Sequence, residues 1–261
     1  RALIGEHLVV HVPELALATG GLGRDGEGGQ CDTGIDGRVE ERIQVIVLER
    51  DTVPVGNLPE SAIVAAEDQE IVDVVRENGG KAVLTGKHAT GSDRIFEGYK
   101  KLNLTGINYL INLQGDEPMI NPEDIINLNN KMIENNINIG TLGTDLKNDS
   151  ILENENVVKV VTEKKLDANN FAKAKNFFRK NSNDNNLNVY HHIGVYAYNV
   201  STLEKFISLQ QTKNEIQKRL EQLRALDNNI DIMVVLAKSS PIGVDTKEDF
   251  LAIKKIMEYK S

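Results

Sequence analysis

Apolar positions recur along this chain with two periods, and from residue 61 onward the two take turns. Residues 61–67, SAIVAAE, are a short β-rich run. The next stretch, DQEIVDVVRENGG, predicts a helix: Ile71, Val74 and Val75 share one face and Gly79 supplies the stop. KAVLT (81–85) predicts a strand, residues 92–101 a helix, and NYLINLQ (108–114) a strand. PEDIINLNNKMIE follows as a helix, with Pro122 in its first turn and acids behind it, where the dipole favours them. NIGTLGT (138–144), NVVKVVT (156–162) and HHIGVYAYNV (191–200) read as strands, 201–209 and 214–226 as helices, DIMVVLA (231–237) as a strand, and 246–259 as a final helix. Strands alternating with helices predict an α/β fold, with a mostly parallel sheet covered by helices on both faces.

The first 60 residues break this rhythm. They contain no Lys and one Asn, Asn57, but ten of the 21 Gly. Five Arg against eleven Asp or Glu give them a net charge of −6, out of −9 for the chain. Residues 22–38, LGRDGEGGQCDTGIDGR, have no apolar period and read as a loop. The match of Gly21–Gly26 to G-x-G-x-x-G has no helix after it, because EGGQCDTG is a poor helix former, so a dinucleotide site is not expected. The expected organisation is an atypical segment 1–61, with loop or chimeric sequence at 25–61, followed by one domain over 62–261. Whether the first segment is a separate module or a rearranged gene start is open at this level.

The acidic balance argues against broad nucleic-acid binding. A small anion held by a few local cations or by a metal ion remains compatible with it. The single Cys, Cys31, excludes an internal disulfide. No apolar run approaches membrane-spanning length, and the expected compartment is the cytoplasm.

Two acidic positions fall where open α/β sheets bind ligands, beyond the carboxyl ends of strands. Asp116, followed by Glu117, comes after YLINLQG, and Asp245 comes after DIMVVLA and the turn KSSPIGV. Two carboxylates at strand tips suit Mg²⁺, which takes a few protein oxygens and completes its octahedron with phosphate and water. Helix caps or turns would account for the same two Asp residues. In HATGSDRIFE the Gly91-Ser92 pair before a helix can offer backbone N–H groups and a hydroxyl to an anion or a base edge, and Arg94 can clamp a carboxylate or phosphate. An N-cap at Ser92 with a surface Arg94 is the plainer alternative. His191 and His192 are adjacent in a strand and point to opposite faces, which disfavours one shared metal. EQLRAL (221–226) reads by itself as an amphipathic helix.

LINLQGDEPMI, TGSDR, NVVKVV, HHIGVYAY, LEQLRAL and PIGVDTKEDF stand in this order over residues 62–261. Together they resemble the 3-deoxy-manno-octulosonate (Kdo) cytidylyltransferases, the CMP-Kdo synthetases of lipopolysaccharide assembly. The resemblance implies a nucleotidyltransferase (Rossmann-like) fold, a homodimer, and CMP transfer from CTP to Kdo with release of pyrophosphate and with Mg²⁺. It implies that Asp116 and Asp245 carry the metal and that Gln114 touches the sugar acid. Thr90, Gly91, Ser92 and Arg94 would border the nucleotide. His192, Tyr196, Glu221 and Gln222 would hold Kdo, Arg179 would meet its carboxylate, and Arg224 is a further carry-over. No nucleic-acid partner and no membrane insertion are implied.

The chain departs from the family pattern at its start. The family's P-A-R-x-x-S-x-R-x-P-G-K loop has no match, residues 3–24 resemble the helix after it, and Pro13 falls inside that helix. F-S-R is replaced by Phe177-Phe178-Arg179. Two other readings therefore accompany the main one: a cytidylyltransferase for another 2-keto sugar acid, and a truncated, non-catalytic remnant.

Overall fold

The computed structural model describes residues 43–49, 62–115, 119–146, 150–180, 188–238, 251–253 and 255–256. Among these, nine strands form one sheet: β1 (Ile43–Glu49), β2 (Ala62–Ala66), β3 (Lys81–Leu84), β4 (Tyr109–Gln114), β5 (Ile139–Thr144), β6 (Lys159–Thr162), β7 (Ala172–Phe178), β8 (Val189–Asn199) and β9 (Met233–Leu236). Their order is β3-β2-β1-β4-β8-β5-β9-β7-β6, and β6 also pairs with β8, so the second half of the sheet closes on itself. The helices are α1 (Gln69–Glu77), α2 (Gly91–Leu102), α3 (Pro122–Asn135), α4 (Ser150–Glu153), α5 (Val200–Ser208), α6 (Lys213–Lys218) and α7 (Leu223–Asp227).

The expected parallel sheet is corrected to a mixed one. Only β2–β3 and β5–β9 pair in parallel. β1 is antiparallel to both β2 and β4, and β8 is antiparallel to β4, β5 and β6. It follows that β2, β3, β4, β5, β6 and β9 run one way and β1, β7 and β8 run the other. The alternation of strands and helices does bring the first set into a common direction. Three counter-running strands lie between them and turn their neighbouring ladders antiparallel.

β1 arises inside the stretch expected to be loop. Its sequence, IQVIVLE, has the β-branched content of a central strand. Val45 and Ile46 are buried on opposite faces. Strand β7, AKAKNFF, was also not anticipated, although its buried Ala172 and Ala174 alternate with exposed Lys173 and Lys175. The helix expected over 214–226 is two short ones. α6 opens on a capping box of Thr212 and Glu215 and stops at Arg219, whose φ of 53° is left-handed. Residues 220–222 form the turn before α7.

Each sheet face carries its own core. One packs Val72 and Val75 of α1 and Ile125, Leu128 and Met132 of α3 against Ile111, Leu113, Ile193 and Val195. The other packs Ile95 of α2, Leu203 and Phe206 of α5 and Leu223 of α7 against Ile46, Leu110, Tyr196 and Tyr198. Helices on both faces, as expected, fix where polar groups can gather.

Candidate functional site

The apolar face under α2 becomes polar at the carboxyl end of β4. Side chains two apart share a face, so Leu110 is followed there by Asn112 and Gln114. On β8 the same rule aligns His192, Gly194, Tyr196 and Tyr198. Tyr196 pairs directly with Asn112. Gly194 has a steric reason to lack a side chain: a Cβ there would stand 2.7 Å from Gln114 Oε1. The motif H-x-G-x-Y-x-Y thus makes one polar-aromatic row with room for an amide from the next strand.

That row is continuous. Phe177 meets His192 edge-on at 5.1 Å, His192 lies 5.4 Å from Tyr196, and Tyr196 stacks on Tyr198 at 5.8 Å. Tyr198 stacks on Phe206 at 6.2 Å, and the Arg224 guanidinium covers Phe206 at 4.9 Å. Thr141 Oγ1 lies 3.0 Å from His192 Nε2 and donates to Val195 O at 2.7 Å. Burial, reinforced by His191 and Arg179, depresses the His192 imidazole to about 3, so it is neutral at physiological pH. Burial, with Tyr198 and Glu221 nearby, raises Tyr196, so its phenol also stays neutral.

The Thr90-Gly91-Ser92 turn lies against the Tyr198 end of this row. Thr90, not Ser92, is the N-cap of α2; its hydroxyl accepts from Asp93 N and donates to Asp93 Oδ2 at 2.8 Å. Ser92 is fully buried, with its hydroxyl 3.0 Å from the Tyr198 hydroxyl. Gly91 is bare because the buried Gln44 amide lies against it: a Cβ would meet Gln44 Cδ at 2.9 Å. Gln44 is paired in register with Gln114. Arg94 does not point at this row as a free clamp. It is fully buried, donating to Thr85 Oγ1 at 2.6 Å, Gly86 O at 3.0 Å and Glu67 Oε2 at 2.9 Å. It holds the chain that leads into the turn.

Glu221 reaches the same place from the turn before α7. Burial, opposed by the Thr90 and Ser92 hydroxyls and by Arg224, raises its carboxyl to about 7. Its Oε1 lies 4.0 Å from Arg224 Nη2, and the side chain keeps 24% of its exposure. Gln222, the residue before α7, makes no side-chain cap bond. Arg224 is spent on Glu215, donating at 2.9 Å from Nε and 2.5 Å from Nη2. Arg179, just past β7, donates to Asn156 O at 3.0 Å, and its charge reaches His192. The buried Lys159 ammonium binds the carbonyls of Asn154, Val157 and Arg179, which ties the two sides of this corner.

The two proposed metal ligands, Asp116 and Asp245, lie outside the described residues. β4 and β9 run the same way, so their carboxyl ends, Gln114 and Leu236, lie toward the same end of the sheet. Just after β9, Lys238 N donates to Asp124 Oδ1 of α3 at 2.9 Å. No group of three or more His, Cys, Asp or Glu among the described residues could hold a metal ion. No described helix is long and apolar enough to cross a membrane.

Of the residues expected from the sequence, the fold brings Thr90, Gly91, Ser92, Gln114, His192, Tyr196 and Glu221 near one another, turns Arg94 into the frame, and leaves Arg179 and Gln222 at the margin. The sequence reading missed Gln44, Asn112, Thr141 and Tyr198. Asn112 and Tyr198 had a readable signal, since each is two residues from a predicted one on the same strand. Gln44 had none, because its segment lies outside the resemblance.

Known proteins resemble this chain in sequence and in fold. A sequence profile described as cytidylyltransferase matches residues 51–232. The 3-deoxy-manno-octulosonate cytidylyltransferase of Thermodesulfovibrio yellowstonii is 39% identical over 209 residues, covering 76% of this chain and 82% of that protein. The protein of the same name from Bartonella tribocorum is 37% identical over 197 residues, covering 75% and 80%. Among solved structures, CMP:2-keto-3-deoxy-manno-octonic acid synthetase complexed with CTP superposes with a TM-score of 0.68 at 28% identity, over 81% of this chain and 86% of that one.

Proposed function

Because this chain belongs to the cytidylyltransferase family, in the branch of the 3-deoxy-manno-octulosonate enzymes, we propose that it transfers CMP from CTP to Kdo and releases pyrophosphate. A hydroxyl oxygen of the sugar acid attacks the α-phosphorus of CTP; one P–O bond forms and the bond to pyrophosphate breaks. No covalent enzyme intermediate is required, so catalysis rests on positioning and on charge stabilisation.

The observation that carries this reading is the convergence of Thr90–Ser92, Gln114, His192, Tyr196 and Glu221, from four strands or turns far apart in sequence, on one polar-aromatic row. His192, Tyr196 and Gln114 offer neutral hydrogen bonds suited to a sugar. Arg179 supplies positive charge at the His192 end for the carboxylate. The Thr90–Ser92 turn at the N-terminus of α2 faces the nucleotide. Asp116 and Asp245 would hold Mg²⁺; their hard oxygens match its chemistry, and it would offset charge on the phosphates. The working unit in this reading is a homodimer.

The test is pyrophosphate release from CTP with Mg²⁺ and a panel of 2-keto sugar acids. The expected result is turnover with Kdo and at least about 100-fold less with the others, since a site built to pair specific hydroxyls rejects analogues that leave its groups unpaired. Equal turnover across the panel would instead favour a broader 2-keto sugar acid enzyme. No turnover with any of them, together with no CTP binding, would identify a non-catalytic member.

A further inference from the structure

Asn112 stands in the middle of an apolar strand, YLINLQ, and nothing above gives it a task. It is 4% exposed, and its Oδ1 is buried without a hydrogen-bond partner. Leaving a buried amide oxygen unpaired costs about 1–3 kcal/mol, whereas Leu has the same branched outline and no polar atom to leave unpaired. An orphaned oxygen alone does not mark a ligand, because Asn129 on α3, on the opposite face, is equally buried and also has one. Position separates the two. Asn112 pairs in register with Tyr196, whose buried hydroxyl likewise has no partner of ordinary geometry, and it precedes Gln114 on the same strand face. Glu221 adds a third buried unpartnered oxygen beneath α2.

We infer that Asn112 is a further specificity-determining residue, hydrogen-bonding a sugar hydroxyl of the substrate beside Tyr196. The inference rests on the cytidylyltransferase reading for the identity of the ligand. The chemistry selects a hydroxyl over a phosphate. Asn112, Tyr196, Gln114 and neutral His192 are uncharged, whereas phosphate sites recruit cations and charge-assisted bonds. An amide both accepts and donates, as a hydroxyl does. Both substrates carry sugar hydroxyls, the ribose of CTP and the chain of Kdo, and the experiment distinguishes them.

The experiment compares Asn112→Leu with Asn129→Leu in the full chain. Melting temperature is recorded without ligand, and dissociation constants for CTP and for Kdo are measured by calorimetry with Mg²⁺. Both variants are expected to melt at or above the wild type, because each removes an orphaned polar atom. Only Asn112→Leu is expected to weaken binding, by roughly tenfold, the loss of one hydrogen bond. Weakening confined to Kdo assigns the hydroxyl to the sugar acid; weakening confined to CTP assigns it to the ribose. If Asn112→Leu binds both within twofold of wild type, the inference is wrong while the family reading stands. If it melts well below Asn129→Leu, Asn112 is a fold residue and the inference is likewise wrong. If the wild type binds neither substrate, the functional reading fails and takes the inference with it.

Discussion

Two kinds of buried polar group sit within the same sheet, and they differ in whether their hydrogen bonds are complete. Around the rim, polar groups are closed. Arg94 is held by Glu67, Thr85 and Gly86, Lys159 by three carbonyls, and Arg224 by both oxygens of Glu215. On the floor, Asn112, Tyr196 and Glu221 each keep a buried atom open. Closed groups form the frame, and in the proposed reading the open ones meet the substrate. Arg94 illustrates the lesson: by sequence it is the obvious clamp for an anion, but its burial and its partners make it part of the frame.

The largest effect that sharpens this contrast lies in the rim. Glu215 and Arg224 are 4% and 3% exposed at the side chain. Arg224→Met leaves the Glu215 carboxylate buried without its cation and is expected to cost about 3–5 kcal/mol in urea denaturation. Glu215→Gln combined with Arg224→Met is expected to recover most of that loss, because no uncompensated charge remains. A single variant as stable as wild type would show the pair to be incidental and would remove the distinction between rim and floor.

How far the sequence disclosed all this follows the same division. The helices and most strands were legible, because apolar periodicity reports burial directly. The Gln114, His192, Tyr196 and Glu221 positions were named through resemblance, and the fold sets them on neighbouring strands and turns. Strand direction was not legible, because periodicity is silent on which way a strand runs. β8 and β1 therefore turn an expected parallel sheet into a mixed one. β1 was hidden by its flanks: the Gly- and Asp-rich stretch before it masked seven residues of good strand sequence. The state of each polar group was hidden too, since TGSDR does not say that Thr90 caps, Ser92 meets Tyr198 and Arg94 turns back to Glu67.

A middle-sized effect tests the floor through pH. Glu221 is raised to about 7 from an ordinary value of 4.5, with burial as the main cause. Between those values the folded protein holds a proton that the unfolded chain has lost, so stability falls as pH rises from about 4.5 to about 7 and levels off above. Glu221→Gln removes this slope. The variant is expected to match wild type near pH 4.5 and to exceed it at pH 8 by about 1–2 kcal/mol, a figure reduced for the part of the side chain open to water. His192 acts with the opposite sign. Held down at about 3 by burial, it stabilises the fold above its unfolded value and loses that contribution as pH falls from about 6.5 to about 3. A Glu221→Gln curve that runs parallel to wild type between pH 4.5 and 8 would place Glu221 in water rather than among the buried groups of the site.

The smallest effect belongs to a polar pair that is neither rim nor floor. Lys173 Nζ lies 2.6 Å from Asp231 Oδ1, closer than many buried pairs, yet the side chains are 46% and 57% exposed. Distance alone would rank it beside Arg224–Glu215. Solvation ranks it far below, because water screens both charges and would hydrate either one left alone, while ordering the Lys side chain costs entropy. Lys173→Ala, measured by the same urea titration, is expected to cost no more than about 0.5 kcal/mol and to vary with salt. A loss approaching that of Arg224→Met would mean that bond length, not completeness of burial, separates the structural ion pairs of this protein from the incidental ones.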